Sequence, residues 1–123
     1  MPFTGDGIQL VFFANLKAWA MAASPNAQLL DEAGNIVKTF TLTTDDVVYY
    51  QSGSTAIVKV RIIDDSNESY TFKRLQLLGQ NPEAPPETAP VEILIDHTFS
   101  QNYSKSPDQT LEIYVYTGIQ NVL

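Results

Sequence analysis

The stretch from Ala56 to Ile62 constrains the fold more than any other. Ala56, Val58, Val60 and Ile62 fall on one side of a period of two, and Lys59 and Arg61 on the other, the signature of a half-buried strand. The same period returns in Val91, Ile93, Ile95 and Phe99, which alternate with Glu92, Asp96 and Thr98. It returns again in Leu111, Ile113, Val115 and Ile119, opposite Glu112, Tyr114 and Tyr116. These last two runs read as one pair around a polar loop, Gln101 to Asp108. Shorter β-favouring pieces fill the rest. Ala27 to Asp31 and Ile36 to Leu42 flank a turn in which Gly34 and Asn35 tolerate positive φ, which predicts a hairpin. Val47 to Tyr50 precedes the turn Gln51-Ser52-Gly53-Ser54. The polar run Asp64 to Ser69 closes the Ala56 strand, and Tyr70 to Leu78 reads as its partner. There the apolar register slips from Tyr70 and Phe72 to Leu75 and Leu77, which predicts a bulge near Lys73.

Seven to eight strands at this spacing predict an all-β fold, a β-sandwich of jelly-roll-like or Ig-like type. A length of 123 residues suits one domain, 1–123. Its start is different in kind. Within 1–25 the apolar run Ile8 to Ala23 places Ile8, Val11, Phe12, Asn15, Leu16 and Trp19 at spacings of three and four, which predicts a short N-terminal helix of about three turns ended by Pro25. Residues 80–90 hold four of the seven prolines, so they read as a solvated inter-strand loop. It is long for a hairpin and is expected to cross between sheets or over one end of the sandwich.

Composition excludes several functions. No cysteine is present, hence no disulfide and no thiolate chemistry, and a lone histidine, His97, argues against zinc. No other metal or cofactor is expected. The formal net charge of −7 repels phosphate backbones and anionic lipid heads, so neither nucleic acid nor membrane is an expected partner. The Ile8–Ala23 run is too short and too interrupted to span a bilayer, and the start MPFTGDG lacks the basic residues of a signal peptide. Asp64, Asp65, Asn67 and Glu68 make the densest carboxylate cluster, but their spacing fails a calcium-loop pattern and reads as a solvated hairpin turn. No Gly-X-Ser-X-Gly turn marks a nucleophile, and no catalytic residue is assigned.

The segment from Ser54 to Gly79, and VEILIDHTFSQNYSKSPDQTLEIYVYTGI from Val91 to Ile119, resemble small β-rich virion proteins of tailed phages and related viruses. The likeness rests on a strand ending near Thr98-Phe99, then Lys105-Ser106-Pro107-Asp108-Gln109-Thr110-Leu111 and a final alternating strand. It implies a non-enzymatic structural protein of the tail, baseplate, fibre-attachment or capsid-decoration kind. Such a protein is made in the host cytoplasm, resides in the virion, and packs against copies of itself and other virion proteins.

The candidate interface residues follow from surplus apolar surface. Val11, Phe12, Phe13 and Trp19 exceed what one short helix face buries, so part of this segment is expected to contact another chain. Tyr114 and Tyr116 share the face opposite Leu111 and Ile113, and Tyr49 and Tyr50 form a second pair. If another layer covers that face the tyrosines are core. If not, they suit a protein interface or a platform for a surface glycan.

Overall fold

A computed structural model describes residues 5–52, 55–85 and 87–119. It is mostly β, with an amino-terminal helix α1 (Gly5–Ala22) and strands β1 (Ala27–Leu30), β2 (Ile36–Phe40), β3 (Val47–Ser52), β4 (Thr55–Asp64), β5 (Tyr70–Gly79), β6 (Glu92–Lys105) and β7 (Leu111–Ile119). These form two antiparallel sheets, one ordered β2-β1-β5-β6 and the other β3-β4-β7. The all-β sandwich expectation and the strand number both hold.

The alternation in β4 and β7 works as written. Val58, Val60 and Ile62 meet Ile113 and Val115 on the inner face, and Leu29, Leu75, Leu77, Phe72 and Ile95 close the core from the other sheet. The first hairpin also forms, with Gly34 at φ +91°, while Asn35 needs no positive φ. Asp31 holds that turn by accepting bonds from the Ala33 and Asn35 amides. The bulge near Lys73 is present: Phe72 pairs with Tyr103 and Arg74 with Thr98.

Connectivity departs from the sequence reading. Strand β4 pairs with β7 rather than β5, and β5 pairs with β6, so neither expected hairpin exists. The 65–69 and 106–110 connections are instead two crossings between sheets. The proline-rich segment does the reverse: Gly79 faces Glu92 in one ladder, so 80–91 is a hairpin loop and crosses nothing. It folds on itself through Ala84 N–H to Asn81 O, Thr88 N–H to Pro85 O and the Gln80 side-chain amide to Ala89 O. Turn chemistry is local and reads alike in a hairpin and in a sheet crossing, which is why the sequence favoured the wrong partners. Strand β6 also continues to Lys105, through residues expected to be loop.

One buried cation joins the two crossings. Lys105, at the end of β6, donates from Nζ to the Ser66, Glu68 and Ser106 carbonyls and is 2% exposed. Beside it, Asp64 is buried and accepts from Tyr70 Oη at 2.6 Å and from the Ser66 amide at 2.9 Å.

Helix α1 runs five turns rather than three and presents a different face. Leu16, Ala20 and Ala23 are buried with Phe13 and Met21 beside them, whereas Val11, Phe12 and Asn15 face solvent. Small residues decide this. Gly79 lets the helix backbone close in, since a Cβ there would lie 3.0 Å from the Trp19 carbonyl, and the Gln80 backbone amide donates to that same carbonyl. Asn26 completes the joint. Its side-chain amide donates to Ala20 O and Leu42 O, and its Oδ1 accepts from the Leu42 amide, all buried.

These buried polar contacts set measurable stabilities. Asn26→Ala strands the buried Leu42 amide and carbonyl, leaves Ala20 O with only the Ala23 amide, and should lower unfolding free energy by on the order of 3 kcal/mol in denaturant melts. For Asp64, burial raises the carboxyl pKa, but bonds from Tyr70 and Ser66 outweigh it and hold the value below the ordinary 3.8. A depressed folded value adds stability above the unfolded pKa and loses it as pH falls through the folded one. Asp64→Asn should therefore be less stable than the parent at pH 7 by roughly 2 kcal/mol. The gap should narrow when the melts are repeated below about pH 4.

Candidate interaction surfaces

The helix and strand geometry leaves two apolar surfaces open. The first lies where α1 meets the start of β6. Because the β5–β6 register shifts between Leu77 and Leu78, Ile95 points inward while Ile93, two residues earlier, points out. Val91 and Ile93, which the alternation groups with Ile95, are each 55% exposed. Phe12 is 52% exposed nearby, and Phe12, Asn15, Leu16, Trp19, Ile93 and Leu94 line a shallow groove of about 370 Å³. Leu10 and Val11 are also exposed on the helix but do not line the groove, and Leu10 falls on the opposite side of α1. Among the described residues, no charged side chain lines the groove.

The second is the outer face of the three-stranded sheet. Tyr114 and Tyr116 stand 43% and 56% exposed, so no layer of the described chain covers them. Lys59, paired in register with Tyr116, places its ammonium 4.9 Å from the Tyr114 ring centre and 6.0 Å from that of Tyr116. Val48, exposed on β3, extends the row across the sheet. Arg61 faces Tyr114 in the ladder and is held by Asp46 at 2.9 Å. Burial raises the Asp46 pKa, but bonds from Thr43 and Arg61 overcome it and leave the group below its usual range.

The sequence-derived candidates divide between these surfaces and the interior. Phe12 and the half-buried Trp19 line the groove, and Val11 is exposed on α1 outside its lining. Phe13 turns the other way and packs against Tyr49 of β3 with ring centres 5.2 Å apart, so both serve the joint between helix and sheet. The Tyr50 side chain lies outside the described residues. Leu10, Val91 and Ile93 were missed, and no periodic signal could have found the last two, because a bulge sets their direction.

The groups that invited a chemical reading have structural occupations. The Asp64–Ser69 connection is not a solvated hairpin turn. Its Ser66 and Glu68 carbonyls converge on the Lys105 ammonium, so the chain supplies its own cation there. Among the described residues no cluster of three or more His, Cys, Asp or Glu side chains has the geometry to hold a metal ion. His97 is exposed on β6 with its ring edge-on to Phe99 at 4.8 Å. No described helix is long and apolar enough to cross a membrane. Comparisons with protein-family models, with characterised proteins and with solved structures return no match.

Proposed function

We propose that this chain is a non-enzymatic structural protein of a virion, of the tail, baseplate, fibre-attachment or capsid-decoration kind, which packs against copies of itself or neighbouring virion proteins. One observation carries the assembly part of this reading: the open apolar groove lined by Phe12, Trp19, Ile93 and Leu94 on a chain otherwise rich in acid. Contiguous apolar patches on soluble proteins mark interaction sites, and a charge-free one lets acidic copies meet without opposing like charges. The acidic remainder keeps subunits apart until they dock. The virion setting rests on the likeness of the Lys105–Leu111 turn and the strand after it.

A second reading, a monomeric carbohydrate- or protein-binding module, is favoured by the exposed Tyr114 and Tyr116 flanking Lys59. A glycan screen separates the two, since a sugar-binding module gives saturable binding that is lost in Tyr116→Ala.

The assembly reading is tested by light scattering over a wide concentration range. The parent chain should form a discrete oligomer or growing polymer. Phe12→Glu, at an exposed position, should keep its circular dichroism spectrum and weaken association by about tenfold or more. A parent chain that stays monomeric alone and with its virion neighbours removes the reading.

A further inference from the structure

Each sheet of this sandwich has two outer edges, and both edges of the four-stranded sheet are protected. Strand β2 is five residues long, carries Lys38 and is irregular against β1. Strand β6 departs from regular register twice, with residues 99–102 bulging opposite Lys73. In the three-stranded sheet, β3 offers only six residues against the nine of β7, and its Tyr49 ring is engaged with Phe13 of the helix. Short strands, lysines, bulges and covering elements are the ordinary means of blocking a sheet edge.

Strand β7 has none of these. Its nine residues, LEIYVYTGI, contain no proline and no lysine, and its only charge is Glu112. Its ladder with β4 runs unbroken from Ala56–Ile119 to Asp64–Leu111, so the strand is regular throughout. Among the described residues, no strand pairs with its other edge. A cleft of about 280 Å³ runs along it, with Phe72, Phe99 and Tyr103 on one side and the consecutive β7 residues Leu111 to Tyr114 on the other. Successive strand residues point to opposite faces, so four in a row can border one cleft only along the backbone edge.

We propose that this edge pairs with the same edge of a second copy, antiparallel about a two-fold axis, joining two three-stranded sheets into one of six. The inference rests on the assembly reading above and adds a second contact, separate from the groove between α1 and β6. Full overlap of Leu111–Ile119 fixes the register. Val115 faces the partner's Val115, Tyr114 faces the partner's Tyr116, and Glu112 faces the partner's Gly118. No like charges are opposed, and the two tyrosine pairs stack on the outer face beside Lys59 of each copy. The partner's inward side chains then lie toward the aromatic wall of Phe72, Phe99 and Tyr103.

The chain has no cysteine, so introduced thiols report cleanly. Under mild oxidation, a mixture of Tyr114→Cys and Tyr116→Cys chains should form a disulfide-linked dimer faster than either variant alone. The mixed pair is directly opposite, whereas each single variant offers only a diagonal pair about 7–8 Å apart. Tyr114→Lys/Tyr116→Lys should keep the parent's spectrum, lower its melting temperature modestly because the new lysines face Arg61 and Lys59 across the ladder, and raise the dimer dissociation constant about tenfold or more. An oligomer whose mixture cross-links no faster than the single variants, or which the double lysine variant leaves intact, overturns the β7 contact and leaves the assembly reading standing. A parent chain that is monomeric under all conditions overturns both.

Discussion

Asn26 sits where the helix ends and the first strand begins, and its three side-chain bonds satisfy Ala20 O, Leu42 O and the Leu42 amide in a place water does not reach. Its backbone amide donates to Phe40 O and its carbonyl accepts from the Leu78 amide. The end of α1, the exit from β2 and the end of β5 are thus fixed to one residue, and the rest of the packing depends on it. Only a side chain with both a donor and an acceptor at this length can serve all three groups. Leu16 and Ala20 enter the core because this joint sets the helix's approach.

At the 65–69 and 106–110 crossings, polar groups again do what apolar packing cannot. Chain crossing from sheet to sheet leaves carbonyls without ladder partners, and those of Ser66, Glu68 and Ser106 are gathered by Lys105. The strand that carries this lysine reads as loop from Gln101 onward, because Ser100, Gln101, Asn102 and Ser104 lack any apolar alternation. An outer strand does not require it: these residues face solvent.

Strand positions, the first hairpin and the Lys73 bulge were legible because each is written in local periodicity or turn residues. Pairing partners were not, since Asp64 to Ser69 carries the same turn formers whether the next strand returns beside the last or crosses to the other sheet. The interaction surfaces were half legible. Val11, Phe12, Tyr114 and Tyr116 announced themselves as surplus to one face. Phe13 and Tyr49 looked equivalent to them and instead meet inside, because alanines rather than the bulkiest side chains determine which way the helix turns.

The pairing of β4 with β7 has a consequence for the order of events in folding. Asp64 must find Leu111 and Ala56 must find Ile119, with β5, the proline-rich loop and all of β6 lying between in the chain. Contacts this distant in sequence form late, because closing the intervening loop is entropically unfavourable until other contacts exist. During synthesis, the β3–β4 hairpin waits with one flank uncovered until β7 arrives. Nascent copies on neighbouring ribosomes therefore have an interval in which β4 of one chain can capture β7 of another, and exchange of that strand is the misassembly to which this topology is most open.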